Sequence, residues 1–338
     1  MIYLKNDYSE GCHPEVLAAL TRTNLEATTG YGEDEYCKAA AEKIKACFQC
    51  PDADVHFLVG GTQVNFTALD AFLRPWEAAI ATSLGHIAVH ETGAVEGTGH
   101  KVLTAPCTDG ILTPQMVREI VAAHPNEHMV KPRIVYISDS TEVGTIYHKA
   151  ELAALHDCCE ELGLLLYLDG ARLASALTSP ENDIAPEDLP RYCDAFYVGG
   201  TKNGALFGEA LVIVNDALKP DFRYAIKQHG GMLAKGRLLG VQFGALFEND
   251  LWFSIARHAN ALADKLQSGI EKAGYSLLVH SPSNQIFPIF PDEMVRKLEK
   301  DFAFEVQTHP APGLTCIRLV TSWATEEAAV DAFLKVIQ

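Results

Sequence analysis

The chain lacks any run near the roughly 18 apolar residues that a membrane helix needs, so no helical span is expected. It also lacks a long basic run. With 44 acidic and 27 basic residues its formal net charge is −17, which argues against nucleic-acid binding. The opening residues, MIYLKNDYSEG, carry no apolar block of the secretory kind. A cytoplasmic location is therefore expected. Cysteine is present but unpaired in number: nine residues are spread along the chain, which argues against a disulfide framework. Cys47 and Cys50 have CxxC spacing, yet no second pair follows at zinc-site distance, and no metal is expected. Internal repeats and low-complexity segments are missing too.

What is present is a core. Of the 338 residues, 48% are hydrophobic, enough for a large domain and a smaller one. Short apolar runs alternate with amphipathic segments. Strands are predicted over 54–60, 78–82, 101–106, 133–138, 164–170, 194–200 and 209–215, with helices over 62–73, 113–124 and 149–163. Runs such as LLLYL, at 164–168, are apolar at consecutive positions. That pattern fits strands covered on both faces, hence a mostly parallel seven-stranded α/β sheet flanked by helices. After Gly231 the pattern becomes a long helical stretch, short strands and a last helix over 325–337. A division into a large domain, 1–238, and a smaller α+β domain, 239–338, follows.

In open α/β sheets ligands sit beyond the carboxyl ends of the strands. Four such ends carry unusual residues: VGGTQ at 59–63, SDSTEVGT at 138–145, LDGAR at 168–172 and VGGTKNG at 198–204. Lys202 is the only lysine in a loop of small residues. It is either a solvated loop lysine or an amine of lowered pKa that forms a Schiff base with a carbonyl. Asp169 ends the most apolar strand, where a charge is costly without a partner. It either pairs with Arg172 or caps a helix, or it holds a protonated pyridine nitrogen and so makes that ring a better electron sink. Gly61 and Thr62 would open a helix, whose positive end suits an anion such as phosphate. Thr201 offers a further hydroxyl. His86, after the second strand, presents a flat ring able to stack on an aromatic group.

The order of phosphate loop, stacking ring, strand-end aspartate and loop lysine resembles the fold-type I pyridoxal-phosphate enzymes. Within them the chain is similar to the threonine aldolase and aromatic amino acid β-eliminating lyase family. The likeness runs from NDYSEGCHPEVLAAL through GYGEDEY, GGTQ, GHIAVHETGA, DGARL and GTKNG to IRLVTSW. It implies pyridoxal 5′-phosphate as cofactor, joined to Lys202, with Asp169 on the ring nitrogen and Arg172 near the ring's phenolic oxygen. Gly61, Thr62 and Thr201 would bind the phosphate and His86 would stack on the ring. Arg318 would clamp the substrate carboxylate with help from Ser9. His128 would stand near the substrate hydroxyl, with Glu91 and Tyr31 at the rim. His86 or His128, or a water they hold, would act as the base. The implied reaction is Cα–Cβ cleavage of a β-hydroxy-α-amino acid such as threonine; β-elimination or racemisation at the same site is the alternative. A homodimer or homotetramer with shared sites is implied as well. The chain departs from the pattern at Leu233, where relatives carry an arginine, with Lys227, Lys235 or Arg237 as candidate substitutes. It departs again at SDSTEVGTIY, where relatives have an Asn-Thr-His-Asn type of sequence.

Overall fold

The computed structural model describes residues 1–338. Seven strands form the main sheet, in the spatial order Asp54–Leu58, Glu209–Ile213, Ala195–Gly199, Leu165–Asp169, Lys131–Ser138, Glu77–Thr82 and Lys101–Ala105. Glu209–Ile213 runs antiparallel to both of its neighbours, and the remaining pairings are parallel. The expected mostly parallel seven-stranded sheet is thus present, with strand ends within two residues of their predicted positions.

Alternate residues of each strand feed two different cores, because successive side chains leave opposite faces of a sheet. Val135, Ile137, Leu166, Leu168, Phe196, Val198 and Val212 join one core, which is sealed by Phe48, Leu155 and Trp252. Ile134, Tyr136, Leu165, Tyr167, Tyr197 and Leu211 join the other, under the Gly61–Phe72 helix. This two-sided coverage explains why the strands read as unbroken apolar runs. The same alternation sets the chemistry below. Tyr136 and Tyr197 fall on the face beneath the Gly61–Phe72 helix, and so does Glu209, which pairs in register with Leu58 and Gly199.

The long helical stretch after Gly231 resolves into helices Arg237–Leu246 and Leu251–Lys272. The first packs on helices Pro14–Thr23 and Glu35–Phe48. The second is shared. Trp252, Ile255 and Ala256 sit in the first core, whereas Leu262, Leu266 and Ile270 sit in a third core with Phe290, Ile317 and Phe333. Antiparallel strands Pro288–Pro291, Glu305–Ala311 and Leu314–Val320 form the C-terminal sheet. The N-terminal strand Ile2–Tyr3 pairs with Phe302–Ala303, which ties the start of the chain to that unit.

Asp139, directly after the Lys131–Ser138 strand, is fully buried, and the Tyr147 amide, 3.4 Å from Oδ1, is its side chain's hydrogen-bond donor. Burial pushes this carboxyl up to about 8. In the unfolded chain it returns to roughly 3.9. Between those values the folded protein holds a proton that the unfolded chain has lost, so stability falls as pH rises through the window. Asp139→Asn is neutral at every pH. It is expected to leave the melting temperature unchanged near pH 4 and to add roughly 2 kcal/mol or more at pH 8. Calorimetry at the two pH values checks this, and equal gains at both would contradict it.

Candidate active site

The carboxyl ends of the parallel strands meet on one rim. Ser138 and Asp169 stand in register on adjacent strands there, and Gly199 ends the next strand. The Gly199–Gly208 loop is tight: a Cβ on Gly200 would meet the Gly208 carbonyl oxygen at 2.6 Å, and Gly204 has φ +87°. Bulkier residues cannot close this turn, which accounts for the small residues around Lys202. The Thr201 hydroxyl accepts the Gly208 amide at 2.9 Å, and the Gly200 amide donates to Glu209 at 2.8 Å.

Lys202 lies within electrostatic reach of Arg172, Asp7, Asp169 and Glu209. Burial, aided by the Arg172 cation, lowers its pKa, although the three carboxylates oppose that shift. An amine so placed is more readily neutral and nucleophilic than a solvated one. Burial pushes Glu209 up to about 7. A narrow cavity below Lys202 is lined by Asp7, Arg172, Asn203, Asn284 and Trp323.

Asp169 is buried and accepts four hydrogen bonds. The Tyr197 hydroxyl and the Ala171 amide donate to Oδ1; the Tyr136 hydroxyl and Asn65 Nδ2 donate to Oδ2. Burial works against its charge. The neighbouring His86 imidazole and the side-chain donors outweigh burial, and the carboxyl is held below its ordinary range. Asn65 also donates to Glu91 at 2.8 Å, and Glu91 Oε1 lies 2.7 Å from His86 Nδ1. One buried chain of hydrogen bonds therefore runs from Asp169 through Asn65 and Glu91 to His86. Glu91 is not the expected rim residue: its side chain is fully buried, and it orients the histidine from behind.

The Gly61–Phe72 helix begins over this network. Gly60 provides no side-chain cap, so the first-turn amides and the exposed Thr62 hydroxyl are left to an outside acceptor. On the opposite side Arg172 is tied to Asp7 through two hydrogen bonds, at 2.7 and 3.0 Å. Asn284 donates to Asp7 as well. Asp7→Ala would strand a largely buried guanidinium. It is expected to cost about 3 kcal/mol or more, read from urea unfolding, and a loss under about 1 kcal/mol would contradict the pairing. Arg318, on strand Leu314–Val320, has no carboxylate partner, and its buried Nε makes no hydrogen bond. Burial and the nearby Arg172 lower its pKa. An under-compensated guanidinium of this kind is suited to an incoming carboxylate.

The remaining expected residues fall elsewhere. Ser9 is exposed, bonded to Asn6 Oδ1 at 2.9 Å and two residues from Asp7. Tyr31 carries Lys227 over its ring at 5.0 Å and lines a separate pocket with Met232 and Leu233. His128 does not reach the cluster within the chain. It is exposed and precedes the eight-residue Lys131–Ser138 strand, so it lies at the opposite edge of the sheet from Asp169. At about 3.3 Å per residue that separation is roughly 25 Å. Of the candidates to replace the missing arginine, Arg237 is already committed to the carbonyls of Thr23 and Glu26. All nine cysteines are free, and no cluster of metal-ligating side chains forms.

The two-faced sheet with this rim is the architecture of the fold-type I pyridoxal-phosphate enzymes. Thermus thermophilus aspartate aminotransferase shares it, with a TM-score of 0.74 over 99% of this chain and 90% of that one, at 18% identity. The likeness narrows from there. The β-eliminating lyase profile matches residues 7–291. A low-specificity L-threonine aldolase of Pseudomonas sp. is 34% identical over 332 residues, covering 97% of this chain and 94% of its own. A solved structure of Leishmania major threonine aldolase has a TM-score of 0.99 at 50% identity, covering 100% of this chain and 98% of that one. The chain belongs to the β-eliminating lyase family, within its threonine aldolase branch.

Proposed function

We propose that this chain cleaves the Cα–Cβ bond of L-threonine or L-allo-threonine to glycine and acetaldehyde, with pyridoxal 5′-phosphate as cofactor. The observation that carries the reading is Lys202 in its tight loop, within electrostatic reach of the buried Asp169, whose carboxylate accepts four hydrogen bonds. The residues present fit the cofactor. An uncapped helix start meets a phosphate, an amine meets an aldehyde and a carboxylate meets a ring nitrogen.

When bound, the cofactor supplies a cationic ring that accepts the electron pair left on Cα. The protein's own residues do the rest. Lys202 would hold the cofactor through its amine. Asp169 keeps the ring nitrogen protonated. The Tyr136 and Tyr197 hydroxyls that donate to Asp169 would share its carboxylate with the ring nitrogen. Gly61, Thr62 and Thr201 bind the phosphate, and His86 stacks on the ring, fixed from behind by Glu91. Arg318 would bind the substrate carboxylate, and Arg172, which Asp7 positions, would stand near the ring's phenolic oxygen. The free thiols support a reducing, cytoplasmic setting. Nearly fully exposed Leu25, at 95%, and Tyr224, at 77%, support burial against a second copy in a dimer or tetramer.

Incubating the purified protein with L-threonine should release acetaldehyde and glycine in equal amounts. Release of a keto acid and ammonia instead would overturn the reading in favour of β-elimination.

A further inference from the structure

Within one chain His128 stands too far from the rim to partner the β-hydroxyl of the substrate. Another imidazole stands at the site. His90 closes the short His86–Val89 helix, and its amide donates to the His86 carbonyl. Residues four apart on a helical turn share a face. The two rings accordingly lie 5.5 Å apart, between centroids, at 49°. His90 is exposed at the mouth of the site, and its ring nitrogens bond to no group of the chain. It lies in the field of His86, Arg318 and Lys202, three groups contributed by three different elements, with Glu91 as the nearby carboxylate. Partial burial of the ring and those cations lower its pKa, which favours the neutral, proton-accepting ring near pH 7.

The assignment rests on the function proposed above. Arg318 fixes the substrate carboxylate and the Lys202 position fixes the amino group. His86 and His90 are the imidazoles that stand beside those two groups. His86 spends its face on the cofactor and its Nδ1 on Glu91. We propose that His90 is a catalytic residue, the base that takes the β-hydroxyl proton as the Cα–Cβ bond breaks. The O–H proton moves to a ring nitrogen of His90, and the O–H pair becomes the second bond of the aldehyde carbonyl. The Cα–Cβ pair stays with Cα, which takes a proton before glycine leaves. His90 passes its own proton to solvent.

The test compares the wild-type holoenzyme with His90→Asn and His90→Phe in two reactions. One is threonine cleavage, followed through the aldehyde. The other is exchange of the glycine α-hydrogen with deuterated water, which needs Lys202, Asp169 and Arg318 but has no β-hydroxyl. Expected is a fall in kcat/KM for threonine on the order of 10²–10³-fold in both variants. Glycine exchange and the absorbance of the bound cofactor should stay within about threefold of wild type. Cleavage within about threefold of wild type in both variants overturns the assignment, as does a parallel loss of exchange. A wild-type protein that releases no aldehyde overturns the proposed function itself, and with it this role for His90.

Discussion

Asp169→Asn is expected to fold, to bind pyridoxal phosphate and to lose on the order of 10³-fold in kcat for threonine cleavage. The substitution keeps size and shape. The asparagine oxygen keeps one pair of donors while its amide nitrogen faces the other pair, so a modest loss of stability accompanies a fold that is retained. What is lost is the negative charge. Burial opposes that charge, and the chain has built three side-chain donors and a nearby imidazole to keep it. A carboxylate held so firmly in a buried site has its largest effect on a cation beside it. Without it the ring nitrogen no longer stays protonated, and the electron pair left on Cα has no sink. The effect should fall on kcat rather than KM, because the charge develops only as the bond breaks. Steady-state kinetics with far-ultraviolet circular dichroism checks both parts. A variant with wild-type kcat would remove Asp169 from the chemistry.

Arg318→Gln is expected to act on the other parameter. The guanidinium is partly buried, lacks a carboxylate partner, and has one nitrogen without a hydrogen bond. A charge-assisted pair formed in such surroundings contributes about 2–5 kcal/mol. Removing it should raise KM for threonine by roughly 30-fold or more, with a smaller change in kcat, since the carboxylate is bound throughout the reaction. Stability should change little, because relief of the Arg172–Arg318 repulsion is set against lost attraction to Asp7 and Glu305. A variant with normal KM but a lowered melting temperature would make Arg318 a structural residue.

The sheet was legible because its strands are covered on both faces, and consecutive apolar residues leave few other readings. The strand-end residues Asp169 and Lys202 were legible for a related reason: a charge at the end of an apolar run stands out. The partners that tune them were not. Tyr136 and Tyr197 sit inside apolar strands and read as core; only the register that sets Ser138 beside Asp169 shows that their hydroxyls converge on one carboxylate. Asp7 meets Arg172 across 165 positions of sequence, a separation that no local pattern reports. Asn65 had a visible signal, a polar residue on the buried face of a helix, but its two acceptors come from distant elements. That His128 cannot reach the rim of its own chain was legible in the sequence, since a residue just before a parallel strand belongs to the opposite edge. His90, four residues after His86, is the neighbour that helical spacing points to.

Borohydride reduction of the purified holoenzyme, followed by peptide mapping, tests the central claim most directly. Lys202, bound covalently to the cofactor, predicts one phosphopyridoxyl label on the peptide that contains it, with loss of the visible absorbance. A label on another lysine, or a colourless protein that still cleaves threonine, would contradict it.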